Sequence, residues 1–297
     1  MSESRVRERG ALEKPEIAQV LALVDEADSA DGVGPLSEHG LLGLRSGGPG
    51  LTIDLDGAIV AYARLDPATP EESAAGELVV HPRHRRRGYG RALLRALRAE
   101  AGGPLRVWAH GDLPAAAKLA AAEGLGRARA LFQMRRPAAA PLPAATVADG
   151  VLIRAFEPGR DEEAWLEVNR RAFADHPEQG AWTLDDLNRR EREEWFDPAG
   201  FFLAERGGRT VGFHWTKTHP DGTGEVYVVG VDPSAQGLGL GRTLTLVGLH
   251  HLRDRGVPQI MLYVDESNIA AVRLYESLGF TRYAVDVMYG TDPSGDR

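Results

Sequence analysis

Two glycine-rich turns have the residue types and spacing of a phosphate-binding site. Residues 236–242 read Gln-Gly-Leu-Gly-Leu-Gly-Arg, and residues 85–91 read Arg-Arg-Arg-Gly-Tyr-Gly-Arg. Glycines let the backbone turn tightly and bring several N–H groups toward one point. A helix is predicted after each turn and would add its positive end. Together these features form a site for a pyrophosphate.

Other folds also use glycine-rich turns. Gly-x-Gly occurs in dinucleotide-binding folds, but here the turn follows the fourth predicted strand rather than the first. No acidic residue ends the next strand where it would hold a ribose, and the P-loop pattern Gly-x4-Gly-Lys-Ser/Thr is absent. A tight turn without a ligand is the alternative. A turn without a ligand would explain a single copy of the pattern. It does not readily explain why the same turn occurs twice between the same strand and helix.

The elements around the turns predict two copies of one folding unit. The segments 77–94 and 227–244 align on Pro82 and Pro233, and a repeat of this length indicates a duplicated domain. Each half is predicted as helix, hairpin, strand, helix, strand, helix, strand, which is an α+β fold with a mixed, mostly antiparallel sheet flanked by helices. The predicted boundaries are an N-terminal domain at 1–136, a Pro/Ala-rich linker at 137–149 and a C-terminal domain at 150–297.

Specific elements follow from periodicity and turn residues. The predicted helices of the first half are 17–28, 91–101 and 115–123, and its strands are 51–55, 59–65, 77–80, 105–109 and 129–134. The predicted helices of the second half are 162–174, 242–255 and 269–278, and its strands are 201–205, 210–216, 224–231, 259–264 and 282–289. The helices before Gly124 and Gly279 end as helices often do, at a glycine.

Composition excludes several classes of protein. The 297 residues are 43% hydrophobic and 26% charged, as in a globular protein with a sizeable core. The net charge of −8 disfavours a nucleic-acid partner. The absence of cysteine excludes disulfides, thiolate zinc sites and a cysteine nucleophile. No apolar run is long enough to cross a membrane, and the polar N-terminus does not resemble a signal peptide. We therefore expect a cytoplasmic protein, and we expect a monomer.

Two ordered motifs of the second half resemble those of the GCN5-related N-acetyltransferase (GNAT) superfamily. One is Val-x-Pro-x2-Gln-x-x-Gly-x-Gly after a strand, and the other is Asn268-x-x-Ala-x-x-Leu-Tyr275-x-x-x-Gly-Phe280. The resemblance implies acetyl-CoA as co-substrate, held by the turn and by a splayed strand at Val229–Val231, where Gly230 would permit a bulge. Through this resemblance the predicted coenzyme-binding residues are Val79, Val80, His81, Arg87, Gly88, Tyr89, Gly90, Arg91, Ala92, Val229, Gly230, Val231, Gln236, Gly237, Leu238, Gly239, Leu240, Gly241, Arg242, Asn268, Ile269, Ala270, Ala271, Val272 and Arg273.

Two residues are predicted to be catalytic through the same resemblance. Glu225 opens the strand beside the turn, where many GNAT enzymes keep a general base that acts through water. Tyr275 occupies the position at which many members keep a general acid for the leaving thiolate. The alternatives are a solvated carboxylate at a strand end and a half-buried aromatic on the core face of a helix.

The first half lacks these groups. Aligned on the second motif, Ala120 stands opposite Tyr275 and Leu113 opposite Asn268, while Ala74 aligns with Glu225 in the strand. Its arginine-rich turn is intact, and Arg85, Arg86 and Arg87 bring charge suited to phosphates. We expect this half to bind acetyl-CoA at most, without catalysis, so that one or two molecules bind per chain.

Further strings narrow the resemblance within the superfamily. His-Pro-Glu-Gln-Gly at 176–180 and Gly-Phe-His-Trp-Thr-Lys at 212–217 resemble tandem GNAT enzymes that acetylate the cysteinyl amine of a cysteinyl-glucosaminyl-inositol. The resemblance places the substrate residues at Glu38, Glu178, Lys217, Glu225 and Tyr263. Such carboxylates could accept hydrogen bonds from sugar hydroxyls and pair with an amine. Each could instead be an ordinary surface residue.

Three alternatives stay open from the sequence. The enzyme could acetylate another small amine or a protein N-terminus, or the chain could be a non-catalytic acetyl-CoA-binding protein. His176 and His214 suggest a metal only weakly, because no carboxylate cluster completes a ligand set, and we expect no metal.

Overall fold

The computed structural model describes residues 6–69, 73–174 and 177–291, with the side chains of 177 and 178 excepted. It divides into two compact units. The first comprises the described residues up to Leu131 together with those from Ala284 onward, and the second runs from Phe132 to Tyr283. The first unit is therefore discontinuous in sequence. The predicted domain boundaries 1–136, 137–149 and 150–297 divide the chain into contiguous segments, and they remain predictions.

The elements appear in the predicted order, with additions. Those preceding the linker are β1 (Val6–Arg9), α1 (Lys14–Asp31), α2 (Glu38–Arg45), β2 (Gly50–Leu55), β3 (Ala58–Asp66), β4 (Ala74–Val80), α3 (Tyr89–Ala101), β5 (Leu105–Ala109), α4 (Pro114–Ala122) and β6 (Gly126–Pro137). Those after it are β7 (Val151–Ala155), α5 (Glu162–Ala172), α6 (Pro177–Gly180), α7 (Leu184–Glu191), β8 (Phe201–Arg206), β9 (Arg209–Thr218), β10 (Gly224–Val231), α8 (Leu240–Asp254), β11 (Gln259–Asp265), α9 (Ile269–Ser277) and β12 (Thr281–Gly290).

The first unit has a mixed sheet in the order β1-β2-β3-β4-β5-β12. Neighbours are antiparallel except β4 and β5, which are parallel. The final strand of the chain completes this sheet, because Val287 to Gly290 pair with Ala109 to Arg106. One face packs on α3 through Leu93 and Leu97, and the other is covered by α1 and α2.

The second unit repeats this pattern in the order β7-β8-β9-β10-β11, again with one parallel pair, β10 with β11. One sheet face packs on α8 through Leu240 and Leu244. The other face carries an aromatic cluster in which Trp165 and Trp215 are fully buried. The α+β class with two mixed, mostly antiparallel sheets is therefore confirmed.

The predicted linker is not a free tether. Ala138 is only 2% exposed, and its N–H donates to Pro258 O with an N···O distance of 3.1 Å. Two groups of α8 also hold this segment, since Thr243 Oγ1 donates to Thr146 O at 2.7 Å and His250 Nε2 lies 2.9 Å from Pro143 O. The segment therefore belongs to the packing of the second unit.

Candidate active site

The glycine-rich turn of the second unit joins β10 to α8 as predicted. A short 3-10 turn at Pro233–Ala235 is held by Asp232, whose Oδ1 accepts from Ser234 N at 2.8 Å. The chain then passes through Gly237 (φ 84°) and Gly239 (φ 71°), and Gly239 is the N-cap of α8. A glycine cap brings no side chain to the helix end, so the first N–H groups of α8 stay available to an external anion.

The first unit repeats this backbone with different chemistry. Gly88 (φ 88°) is the N-cap of α3, and Arg86 (φ 64°) occupies the left-handed conformation that Gly237 has in the second unit. The side chain of Arg85 is bonded to other residues of the first unit. Its guanidinium makes two 2.7 Å hydrogen bonds to Asp31, and its Nε donates to Val80 O at 3.1 Å. The expectation that all three arginines add charge for phosphates therefore needs correction at Arg85, whose charge is paired with a carboxylate.

Each unit has a sheet that opens beside its turn. Backbone pairing between β10 and β11 covers Gly224–Val226, and in the described chain β10 continues to Val231 without pairing to β11. The same holds for β4, which pairs with β5 only over Ala74–Gly76. The open edge of β10 exposes the peptide groups of residues 227–231, which include the predicted Val229–Val231. An extended amide-containing arm can hydrogen-bond to such an edge.

The bulge that accompanies this opening was predicted at Gly230, and that prediction is wrong. The register between β9 and β10 shifts between Val226 and Val228, so Tyr227 is the extra residue. Gly230 has another reason to be glycine, because a Cβ there would lie 2.8 Å from Phe213 Cε1 and 3.0 Å from Phe173 Cε2. The aromatic rings, and not a bulge, require the missing side chain.

The proposed base is held in a polar pair at the start of β10. Glu225 is 7% exposed, and its Oε2 lies 2.7 Å from Nε2 of His219, within hydrogen-bond distance. Lys217 lies directly across the ladder from Glu225 on β9, and its Nζ stands 4.4 Å from the Trp195 ring centroid and 5.3 Å from that of Tyr227. A carboxylate, an imidazole and an ammonium therefore share one face of the sheet.

Tyr275 projects from α9 into the core of the second unit. It is 6% exposed and makes an edge contact with Phe280, with ring centroids 5.8 Å apart. Burial raises the pKa of Tyr275 to about 12, because the phenolate would be poorly solvated. A phenol of this kind keeps its proton at neutral pH.

The second motif begins where the sequence places it. Asn268 is the N-cap of α9, and its Oδ1 accepts from Ala271 N at 3.1 Å. The first turn is largely solvent-facing, since Ile269 is 54% exposed, whereas Val272 is buried at 7%. Arg242 of α8 donates from Nη1 to Ser277 Oγ at 2.9 Å, which ties the two helices beside the turn.

The predicted substrate residues are only partly assembled by the structure. Lys217 and Glu225 are neighbours, and Tyr263 on β11 is 43% exposed with its hydroxyl 2.8 Å from Gln133 Nε2. Glu38 belongs to the first unit and opens α2 after the Ser37 cap. The side chain of Glu178 lies outside the described residues, as does His176.

Sequence reasoning missed His219, Arg190 and the aromatic partners of Lys217. Arg190 of α7 is buried, donates from Nε to Tyr227 Oη at 2.8 Å and stacks on Trp182 at 3.7 Å. His219 lies just past the end of β9 at Thr218, so strand alternation does not predict its contact with Glu225.

The first unit carries a different set of charges at its sheet opening. His110 lies 3.0 Å from Glu77 Oε1 through Nε2 and 3.1 Å from Asp286 Oδ2 through Nδ1. Arg64 donates to Glu77 Oε2 at 3.3 Å. Burial alone would lower the pKa of His110, but the hydrogen bonds and charges of Asp286 and Glu77 outweigh burial and raise it to about 9. The charged side chains of this cluster are therefore paired with one another within the first unit.

Ladder positions refine which residues replace the catalytic pair. In the parallel ladders of the two units, Ala75 pairs with Arg106 at the position where Glu225 pairs with Met261. The bulge at Tyr227 adds one residue to β10, and this shifts the alignment of the two strands by one residue. The position aligned with Glu225 is therefore Ala75 rather than Ala74. Both are alanine, and Ala120 keeps its place opposite Tyr275, so the absence of a base and an acid at these positions stands.

Metal and membrane features are both tested by the structure. Within residues 6–69, 73–174 and 177–291, no group of three or more His, Cys, Asp or Glu side chains could hold a metal ion. His214 is fully buried with Nδ1 2.7 Å from Leu244 O, and burial lowers its pKa to about 4. None of the described helices is both long enough and apolar enough to span a bilayer.

Comparison with known families agrees with this architecture. Residues 163–280 match the acetyltransferase (GNAT) family, and residues 48–134 match an acetyltransferase (GNAT) domain. The chain belongs to the GNAT family of acetyltransferases. It is an acetyl-CoA-dependent N-acetyltransferase with two tandem domains of this family, one in each half.

Its curated relatives are more specific. The chain is 70% identical over 284 residues to mycothiol acetyltransferase of Thermomonospora curvata, which covers 95% of this chain and 96% of that protein. It is 63% identical over 281 residues to mycothiol acetyltransferase of Thermobispora bispora, covering 91% and 94%. The narrower resemblance indicated by the strings at 176–180 and 212–217 is therefore confirmed.

Solved structures support the tandem fold. A GCN5-related N-acetyltransferase from Sphaerobacter thermophilus superposes with a TM-score of 0.71 at 24% identity, over 100% of this chain and 99% of that one. A tandem GNAT protein from the clavulanic acid biosynthesis pathway superposes with a TM-score of 0.74 at 20% identity, over 99% and 100%. At these identities the likeness concerns the fold alone.

Proposed function

We propose that this chain transfers the acetyl group of acetyl-CoA to the cysteinyl amine of desacetylmycothiol, the cysteinyl-glucosaminyl-inositol, giving mycothiol and CoA. One observation carries the proposal. The second unit joins Glu225 and Tyr275 to an open sheet edge and a glycine-capped helix, in a chain 70% identical to a mycothiol acetyltransferase. The reaction takes place in the second unit.

The coenzyme is held by backbone groups in this proposal. The N–H groups of Leu240, Gly241 and Arg242 at the start of α8 bind the pyrophosphate, and the turn from Gln236 to Gly239 brings them together. The open edge of β10 at Val229–Val231 hydrogen-bonds to the pantetheine arm and polarises the thioester carbonyl. Asn268 and the first turn of α9, residues 269–273, line the same arm.

Proton transfers follow from the two side chains. The substrate ammonium loses a proton to Glu225, directly or through one water. The amine nitrogen then forms a bond to the thioester carbonyl carbon, the carbon–sulfur bond breaks as the tetrahedral centre collapses, and the nitrogen releases its second proton to solvent. Tyr275 gives its phenolic proton to the departing thiolate, and solvent returns a proton to the phenolate; the raised pKa of Tyr275 means that the phenol is protonated at neutral pH before the transfer.

Substrate recognition uses the polar groups around this pair. Lys217, steadied over Trp195 and Tyr227, donates to hydroxyl or amide oxygens, and Tyr263 does the same from the rim of β11. Glu178 and Glu38 accept hydrogen bonds from sugar hydroxyls in the proposal.

Apart from Glu38, the first unit takes no part in the reaction and serves at most as a second coenzyme site, through Val79–His81 and residues 87–92. Two alanines stand where the base and acid would be, and Arg87 with the α3 N-terminus retains the features of an anion site. We further propose a cytoplasmic monomer. Titration calorimetry with CoA gives the number of sites per chain, and sedimentation gives the oligomeric state.

A substrate competition assay tests the function. The enzyme is given acetyl-CoA with desacetylmycothiol, with an aminoglycoside or with a peptide N-terminus, and the product is followed by mass because the preferred substrate carries its own thiol. Turnover restricted to desacetylmycothiol, with the product thiol still free, supports the proposal. Turnover of the other amines alone would replace this substrate, and no turnover of any amine would favour a non-catalytic acetyl-CoA-binding protein.

A further inference from the structure

His219 is the group in direct contact with the proposed base, and nothing in the mechanism above uses it. Its Nε2 lies 2.7 Å from Glu225 Oε2. The side chain of Glu225 is 9% exposed and that of His219 is 28% exposed. The imidazole therefore stands between a nearly buried carboxylate and solvent.

The turn that carries His219 is fixed by its own hydrogen bonds. His219 N donates to Thr223 O at 2.8 Å, and Gly222 N donates to His219 O at 2.9 Å. Asp221 closes the turn, because its Oδ1 accepts from Thr223 N at 2.8 Å and its Oδ2 from Thr223 Oγ1 at 3.1 Å. A ring presented from such a turn has little freedom to leave the carboxylate.

Charged groups surround the pair from each neighbouring element. Lys217 on β9 lies opposite Glu225 in the ladder. In the turn, hydrogen bonding from Thr223 lowers the pKa of Asp221, and the nearby charges of His219 and of Arg135 on β6 contribute in the same direction. Lys217 therefore lies beside Glu225 and Asp221 lies near His219, and among the described contacts the hydrogen bond to Glu225 itself is made by His219.

We propose that His219 is the positioning residue of this acetyl transfer. By donating from Nε2 to Oε2, it fixes the rotamer of Glu225, which leaves Oε1 to receive the proton of the substrate ammonium. The inference rests on the proposed role of Glu225. It goes further by assigning the orientation of that carboxylate to a second residue.

A double-mutant cycle tests this role. The variants are His219→Leu, His219→Gln, Glu225→Gln and the combination of His219→Leu with Glu225→Gln. His219→Leu is expected to lower kcat about tenfold or more, as expected for loss of a hydrogen bond to a charged group, while the KM for acetyl-CoA stays within about twofold of wild type. His219→Gln retains an N–H near the Nε2 position and recovers most of the lost kcat.

The cycle separates positioning from a general structural role. In the Glu225→Gln background, His219→Leu should change the rate by less than about twofold, because the carboxylate that it orients is gone. His250→Gln, at a histidine of α8 bonded to Pro143 O, is the matched control and should match wild type. Melting curves and the KM for acetyl-CoA verify that each variant is folded.

Two results would overturn the inference. Fully multiplicative effects of the two substitutions would make His219 independent of Glu225, and a His219→Gln variant no more active than His219→Leu would remove the role of the N–H group. The proposed function fails by a different result, in which wild type does not acetylate desacetylmycothiol. The cycle then runs with whichever amine is accepted, and if no amine is accepted both proposals fall.

Discussion

Replacing His110 should abolish a pH-dependent part of the stability of the first unit. His110 is held between Glu77 and Asp286, and its pKa rises from 6.5 to about 9 in the folded chain. Its side chain is only 13% exposed, so the shift is little screened by solvent. A rise of this size corresponds to about 3 kcal/mol of the free energy of unfolding.

The sign follows from which state holds the proton. The folded pKa of His110 lies above the unfolded value, so its contribution is complete below pH 6.5 and is lost as the pH rises through about 9. Glu77 behaves oppositely. Burial would raise its pKa, but His110 and Arg64 lower it, so its contribution is present above the ordinary value of 4.5 and disappears as the pH falls below it. The stabilisation from the cluster is therefore greatest between about pH 4.5 and pH 6.5.

Hydrogen exchange of individual strands measures this effect in the unit concerned. Amides of β4 and β5 are followed at pH 6, 7, 8 and 9, with β10 of the second unit as the internal control and rates corrected for intrinsic exchange. In wild type the opening free energy of β4 and β5 should fall by up to about 3 kcal/mol across this range. His110→Gln should be less stable at pH 6 and nearly flat, whereas the exposed-site control His39→Gln should keep the wild-type slope. Parallel profiles for wild type and His110→Gln would refute the reasoning.

Three further substitutions test the second unit. Gly239→Ala places a Cβ at φ 71°, which costs about 1–2 kcal/mol and should raise the KM for acetyl-CoA; an unchanged KM would contradict the role of this cap. Tyr275→Phe keeps the packing on Phe280 and should leave the melting temperature near wild type while kcat falls about 100-fold; an unchanged kcat would exclude the phenol as the acid. Gly230→Ala brings a methyl within 2.8–3.0 Å of Phe213 and Phe173 and should destabilise the protein by about 1–3 kcal/mol in urea; a neutral result would show that the rings can yield.

Local sequence patterns predicted most of the fold, because each element of the duplicated unit has its own periodicity and its own turn residues. The hairpins β2–β3 and β8–β9 and the helices ending before Gly124 and Gly279 follow from such patterns. Strand β1 escaped notice because its four residues, Val-Arg-Glu-Arg, are mostly charged. The short helices α2 and α7 begin at Ser37 and Thr183 caps that were not read as helix starts.

Contacts between residues far apart in the chain could not be predicted from the sequence. Val287 pairs with Ala109, so the end of the chain completes the first sheet, and no local pattern selects that partner. The bulge at Tyr227 and the pairing of Arg85 with Asp31 also depend on residues far apart in the chain. At the candidate site, the motif residues were predictable from their spacing, whereas the contact of His219 with Glu225 required the geometry of the β9–β10 turn.

Glu225 and Tyr275 of the second unit are proposed to drive acetyl transfer to the cysteinyl amine. Their role is measured by the rate of N-acetylated product formation from acetyl-CoA and desacetylmycothiol, compared between wild type and a folded Glu225→Gln, Tyr275→Phe double variant. We expect rapid turnover by wild type and a loss of at least about 1,000-fold in the double variant, with acetyl-CoA still bound. A double variant that keeps the wild-type rate would contradict this role.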